Sequence, residues 1–101
     1  WLSIAIFLFL DRVVRACEAH DVPVGVCGEM GGRTLEAMAL ISLGISRLSI
    51  TPASVGPVKA MIRSVDAGEL QKEMRDILES GVVDIRSRLT EWAKARQVEL
   101  N

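Results

Sequence analysis

The residues of this chain that could do chemistry gather in one stretch, Val22 to Thr34, which reads VPVGVCGEMGGRT and holds a thiol, a carboxylate, an arginine and four glycines. Val22, Val24 and Val26 alternate with Pro23, Gly25 and Cys27, the period of a β-strand whose valine face is apolar and whose other face is small. Cys27 falls at the carboxyl end of that strand, where α/β proteins place their reactive groups. Gly28, Gly31 and Gly32 let the backbone turn sharply or approach a ligand closely, and a helix is expected from Leu35 onward. His20, the sole histidine, sits in the helix-to-strand loop, where a solvated side chain is expected and not an acid or base. A phosphate-binding loop in the glycine cluster lacks the Lys-Ser or Lys-Thr that should follow it.

The elements that must position Cys27 follow from periodicity. In the first ten residues, WLSIAIFLFL, apolar side chains are almost continuous, too few for a membrane span and without the basic start of a signal peptide. Leu2, Ile6, Phe9, Val13 and Ala16 form a helical stripe expected to pack inward, with Asp11, Arg12, Arg15 and Glu18 on the other side. Ile4, Phe7 and Leu8 lie off that stripe, so the first half is apolar all round and calls for a second partner. The start at Trp1, without an initiator methionine, suggests a fragment.

After the glycines, Leu35 to Leu43 reads as an apolar helix stopped by Gly44 at C′. A second strand is expected at Arg47 to Thr51, with Leu48 and Ile50 facing the helices, and Ser49 and Thr51 joining Gly25 and Cys27 on the opposite face. Two short strands joined by a helix make a parallel βαβ unit. Three further helices follow, at Val55 to Ser64, from the capping box Asp66-Ala67-Gly68-Glu69 to Ser80, and at Val82 to Gln97. Arg86, Arg88, Lys94 and Arg96 on the last helix are expected to form a solvated face.

Composition bounds the rest. A chain of 101 residues suffices for one domain, and its 12 basic and 13 acidic residues are mixed, so no nucleic-acid footprint appears. Cys17 and Cys27 show neither metal-ligand spacing nor the density of a secreted scaffold, which points to reduced thiols in a cytoplasmic protein.

VCGEMGG, followed some twenty residues later by LSITPASVGPVKAMIRS, resembles the carboxyl-terminal end of the phosphoenolpyruvate-protein phosphotransferases, enzyme I of the phosphotransferase system, especially the nitrogen-related branch. Pyruvate phosphate dikinase shares the Cys-Gly-Glu element, with a second turn less like this one. The resemblance covers Asp21 to about Asp66 and implies an α/β fold. Residues 1–66 would be the last two βα units of an eight-stranded (β/α) barrel and 67–101 its carboxyl-terminal helices, in a barrel that typically needs about 250 residues. It implies a transferase that moves the phosphoryl group of phosphoenolpyruvate to a protein histidine, in a phosphocarrier relay of the HPr type, and releases pyruvate.

In that family the cysteine matched by Cys27 protonates the enolate of pyruvate. The chemistry suits a thiol with a pKa near 8.5, which keeps its proton at neutral pH and can give it up without a large shift. Gly28 would offer backbone to the substrate, and Glu29 would orient or support. The family's magnesium-binding acids and phosphate-binding arginines lie upstream of every residue here, so the chain alone is expected to be inactive, to hold no metal and to form homo-oligomers. Arg33-Thr34, Gly31 and Ile50-Thr51 depart mildly from the family pattern, and the apolar run Ile4 to Leu10 departs more. The alternative is a helical interaction or dimerisation module without chemistry.

Overall fold

The computed structural model describes residues 3–27, 32–82 and 84–100. Its elements run α1 (Ile4–Ala19), β1 (Gly25–Cys27), α2 (Thr34–Ser42), β2 (Arg47–Ser49), α3 (Pro52–Ser64), α4 (Ala67–Ser80) and α5 (Ile85–Ala95). The result is a mostly helical α/β unit around a two-stranded parallel sheet. No helix among the described residues is long and apolar enough to cross a membrane.

Local chemistry sets most of the boundaries. Ser3 caps α1 by accepting a hydrogen bond from the Ile6 amide, and Asp66 and Asp84 cap α4 and α5 in the same way through the amides of Glu69 and Ser87. The last helix therefore starts at Ile85, three residues later than expected from its apolar pattern. Thr51 is the N-cap of α3 and Pro52 its first residue, so this helix starts earlier than Val55 and shortens the strand before it. The first strand is shorter as well, because Pro23 has no N–H to give to a ladder and Val22 is half exposed. Gly44, at φ +101°, turns the chain out of α2 in a conformation that a side chain would strain.

Helix α2 lies at the centre. Its Ala37, Met38 and Ala39 are fully buried in a cluster with Phe7 of α1, Met61 of α3, Leu70, Met74 and Ile77 of α4, and Ile85 and Leu89 of α5. Its Leu40 joins Val14 and Ile45 in a smaller cluster that receives Val26 and Leu48 from the sheet. The alternation is as expected: Val26 and Leu48 turn inward, while Gly25, Cys27 and Ser49 face out.

One expectation is corrected. Helix α1 buries Phe7, Asp11 and Val14, whereas Ile6, Phe9 and Val13 of the expected stripe stay 40%, 66% and 36% exposed; Leu2 lies outside the described residues. Both sides of this helix are apolar, so periodicity could not choose between them. The choice is made by Asp11, which meets Arg75 of α4 in a two-pronged ion pair at 2.7 and 3.1 Å and also Arg15 at 3.2 Å. On α5 the basic residues are largely solvated as expected, Arg86, Lys94 and Arg96 being exposed and Arg88 half-buried, and three of them also form ion pairs: Arg86 with Glu36 of α2, Arg88 with Glu73 and Asp76, and Arg96 with Glu69 while stacking 4.6 Å from the Trp92 ring centre.

Hydrogen bonds from Arg75 hold the Asp11 carboxyl below its ordinary value, against an opposing effect of burial. Asp11→Ala should cost about 2 kcal/mol at pH 7, less than a fully enclosed pair because Arg75 is 37% exposed. A lowered folded pKa stabilises the fold above the ordinary carboxylate value and ceases to do so as pH falls through the folded one. Urea midpoints of the two proteins should therefore differ at neutral pH and converge in strong acid.

Candidate functional site at the carboxyl ends of the strands

Cys27 ends β1 and pairs in register with Ser49 of β2; both side chains are on the exposed face. Each expected neighbour is placed by its own element. Two residues past Ser49, Thr51 starts α3, and its Oγ1 lies 3.1 Å from the Ser54 Oγ in the first turn of the same helix. Gly32, where the chain re-enters on its way to α2, abuts that turn: a Cβ built on it would lie 3.0 Å from the Ser54 Oγ. A side chain at this position would therefore press on the Ser54 hydroxyl at the start of α3. The carboxyl end of the sheet gathers a thiol and the hydroxyls of Ser49, Thr51 and Ser54, the weakly polar surface that strand alternation implied.

Gly28, the other candidate substrate contact, and Glu29 lie outside the described residues. Cys27 and Cys17 are both free thiols, the first exposed and the second half-buried. His20 is exposed in the loop after α1, away from any described hydrogen-bonding cluster. Among the described residues no three His, Cys, Asp or Glu side chains come together as a metal ion would require. A groove of about 510 Å³ between α1, the end of α2 and α4 is lined by Asp11, Arg15, Glu18, Gly44, Lys72 and Arg75; it lies by the turn leading into β2, at the opposite end of that strand from Ser49.

Sequence reasoning missed Glu36. Its side chain is only 3% exposed, at the start of α2, and Arg86 Nη2 donates to it at 2.8 Å. A lone acid within an otherwise apolar helix is the signal that could have revealed it.

A cysteine at the carboxyl end of a parallel pair, followed by a glycine-rich connection and a buried helix, defines an α/β unit whose chemistry belongs at its strand ends. The chain belongs to the family described as PEP-utilising enzyme, PEP-binding domain, whose model matches residues 2–67. The resemblance seen in the sequence is thereby borne out. The phosphoenolpyruvate-protein phosphotransferase of Haloferax volcanii is 32% identical over 75% of the chain and 14% of its own length. A phosphoenolpyruvate-dependent phosphotransferase system protein of Salmonella typhimurium is 30% identical over 86% of the chain and 12% of its length. The multiphosphoryl transfer protein of Rhodobacter capsulatus is 37% identical over 58% of the chain and 7% of its length. The chain thus spans well under a fifth of these relatives. No solved structure matches it.

The Gly32–Ser54 contact makes a test. Gly32→Ala should destabilise the chain by about 1 kcal/mol as the added methyl presses on the Ser54 hydroxyl, and the cost should largely vanish in a Ser54→Ala background. Chemical denaturation of the two single variants and the double variant measures the coupling, and strict additivity would show that the glycine is not there for this approach.

Proposed function

We propose that this chain is the carboxyl-terminal part of a phosphoenolpyruvate-dependent protein phosphotransferase, with Cys27 as its acid. The observation that carries this reading is the place of Cys27: an exposed thiol at the carboxyl end of a parallel strand, in a chain of the PEP-utilising family. In the proposed reaction the phosphoryl group leaves phosphoenolpyruvate for a protein, as the name of the Haloferax relative suggests, and the acceptor we propose is a histidine on another domain. The C–O bond left behind belongs to the enolate of pyruvate. Cys27 Sγ–H then gives its proton to the methylene carbon, the enolate becomes the ketone of pyruvate, and the thiolate regains a proton from water, to which it is open. Gly28 would supply backbone to the substrate.

The complete site would lie in a (β/α) barrel of which β1, α2, β2 and α3 are the last units. Magnesium in the whole protein would supply charge to the substrate, held by acids beyond these residues as the family resemblance implies. The partners of the whole protein would be phosphoenolpyruvate and a phosphocarrier of the HPr type, in the cytoplasm. By itself the chain would not turn over phosphoenolpyruvate. A second reading, a helical association module, is favoured by the apolar side chains that α1 leaves open at Ile6, Leu8, Phe9 and Val13. The two are compatible in a homo-oligomer that covers this face.

Cys27→Ala in the whole protein should lower the conversion of phosphoenolpyruvate to pyruvate by roughly a hundredfold or more while leaving the circular dichroism unchanged. Near-normal turnover would remove Cys27 from the role of acid. For the association, light scattering of the chain at micromolar concentration should give at least twice 11.0 kDa; a monomer mass would refute the homo-oligomer.

A further inference from the structure

The start of α2 holds a charged arrangement that the reading above does not use. Gly32, Arg33, Thr34, Leu35, Glu36 and Arg86 line an open cleft of about 370 Å³. Arg33 and Arg86, from distant parts of the chain, both line it. Arg86 is 54% exposed and gives Nη2 to the buried Glu36 carboxylate at 2.8 Å, and its remaining guanidinium N–H groups make no hydrogen bond among the described residues. Arg33 is exposed and without an ion-pair partner among the described residues.

Anchoring α5 does not account for this pair. Arg88 and Arg96 already tie α5 to acids of α4 near the surface. A carboxylate taken out of water adds little net stability even when paired, and an apolar side chain in its place would commonly serve as well or better. A buried carboxylate paired with a guanidinium does have a distinct effect: it tethers one donor of the fork at the cleft and leaves the others available to the oxygens of a phosphate. Arg33, Arg86 and Glu36 together leave one net positive charge there.

We propose that Arg33 and Arg86 form a binding site for a phosphate group, as inorganic phosphate or a phosphate monoester, with Glu36 as the residue that positions Arg86. This site is separate from the protonation assigned to Cys27 and does not rest on it.

Amide shifts of the isotope-labelled chain, followed by NMR at fixed ionic strength, test the proposal with three probes: inorganic phosphate, phosphoenolpyruvate and pyruvate. Phosphate and phosphoenolpyruvate should give saturable shifts around Arg33 to Glu36 and at Arg86, and pyruvate should not. Arg86→Ala and Arg33→Ala should each weaken binding about tenfold or more. Arg33 caps α2 through its backbone carbonyl, which accepts from the Ala37 amide, and its side chain makes no hydrogen bond or ion pair among the described residues, so its alanine variant keeps the test meaningful even if Arg86→Ala fails to fold. Glu36→Gln separates positioning from plain charge: a positioning residue predicts weaker phosphate binding, whereas simple attraction predicts tighter binding once the negative charge is gone. Absence of saturation, equal response to pyruvate, unchanged binding in Arg33→Ala, or tighter binding in Glu36→Gln would each overturn the proposal. Turnover in the Cys27→Ala protein is independent of all four outcomes.

Discussion

The burial of α2 is the constraint on which the rest of this structure depends. In nine residues it buries Thr34, Glu36, Ala37, Met38, Ala39, Leu40 and Ser42, so it has almost no face left for water. A helix of that kind must be covered on every side. Helices α3, α4 and α5 close around Met38 and its alanines, while the sheet, with Val14 and Ile45, closes over Leu40. Fully burying a side chain such as Met38 or Leu40 contributes on the order of 2 kcal/mol, so several such residues in one short helix outweigh the modest propensity of the glycine-rich segments at its ends. The one charge in this helix, Glu36, is tolerated because α5 brings Arg86 to it.

A fixed α2 in turn fixes both strand ends. Upstream, the chain must pass from Cys27 to Thr34, and the close approach of Gly32 to Ser54 brings that passage against the first turn of α3. Downstream, Gly44 reverses the chain at positive φ so that β2 can lie parallel to β1 with Cys27 opposite Ser49. The thiol and the three hydroxyls near it are therefore held by backbone geometry and by the core beneath, with little help from one another: the Thr51–Ser54 contact is the hydrogen bond the structure shows among them. A surface of this kind suits a group that donates one proton more than it suits a network that relays several.

What could be read from the residues divides along physical lines. Strand alternation at Val24 to Cys27 and Leu48 to Ser49, the stop at Gly44 and the cap at Asp66 were legible because each depends on a few neighbouring residues. The parallel pairing followed from the helix between the strands. The inward face of α1 was not legible, since its two sides are equally apolar and the decision rests on Arg75, which is 64 residues from Asp11 in the chain. The ion pairs of α5 were likewise not legible: its basic face is solvated as its helical wheel implies, but the acids that Arg86, Arg88 and Arg96 meet sit on α2 and α4. The position of Cys27 at a strand end was legible; Glu36 was overlooked because one acid among apolar residues reads as noise until its partner is seen.

Two kinds of exposure remain, and they do not have the same remedy. Each of the two strands has one edge with no strand beside it among the described residues, and parallel strands are normally paired and covered on both faces. Separately, Ile6, Leu8, Phe9 and Val13 leave apolar surface on α1. Another copy of the chain laid along α1 would cover the apolar surface and leave the edges as they are. A neighbouring βα unit would answer both needs, since its strand pairs with an edge while its helix packs beside a helix. Hydrogen-bonding groups at a sheet edge are satisfied by backbone and apolar side chains by other side chains, so the two exposures call for different cover.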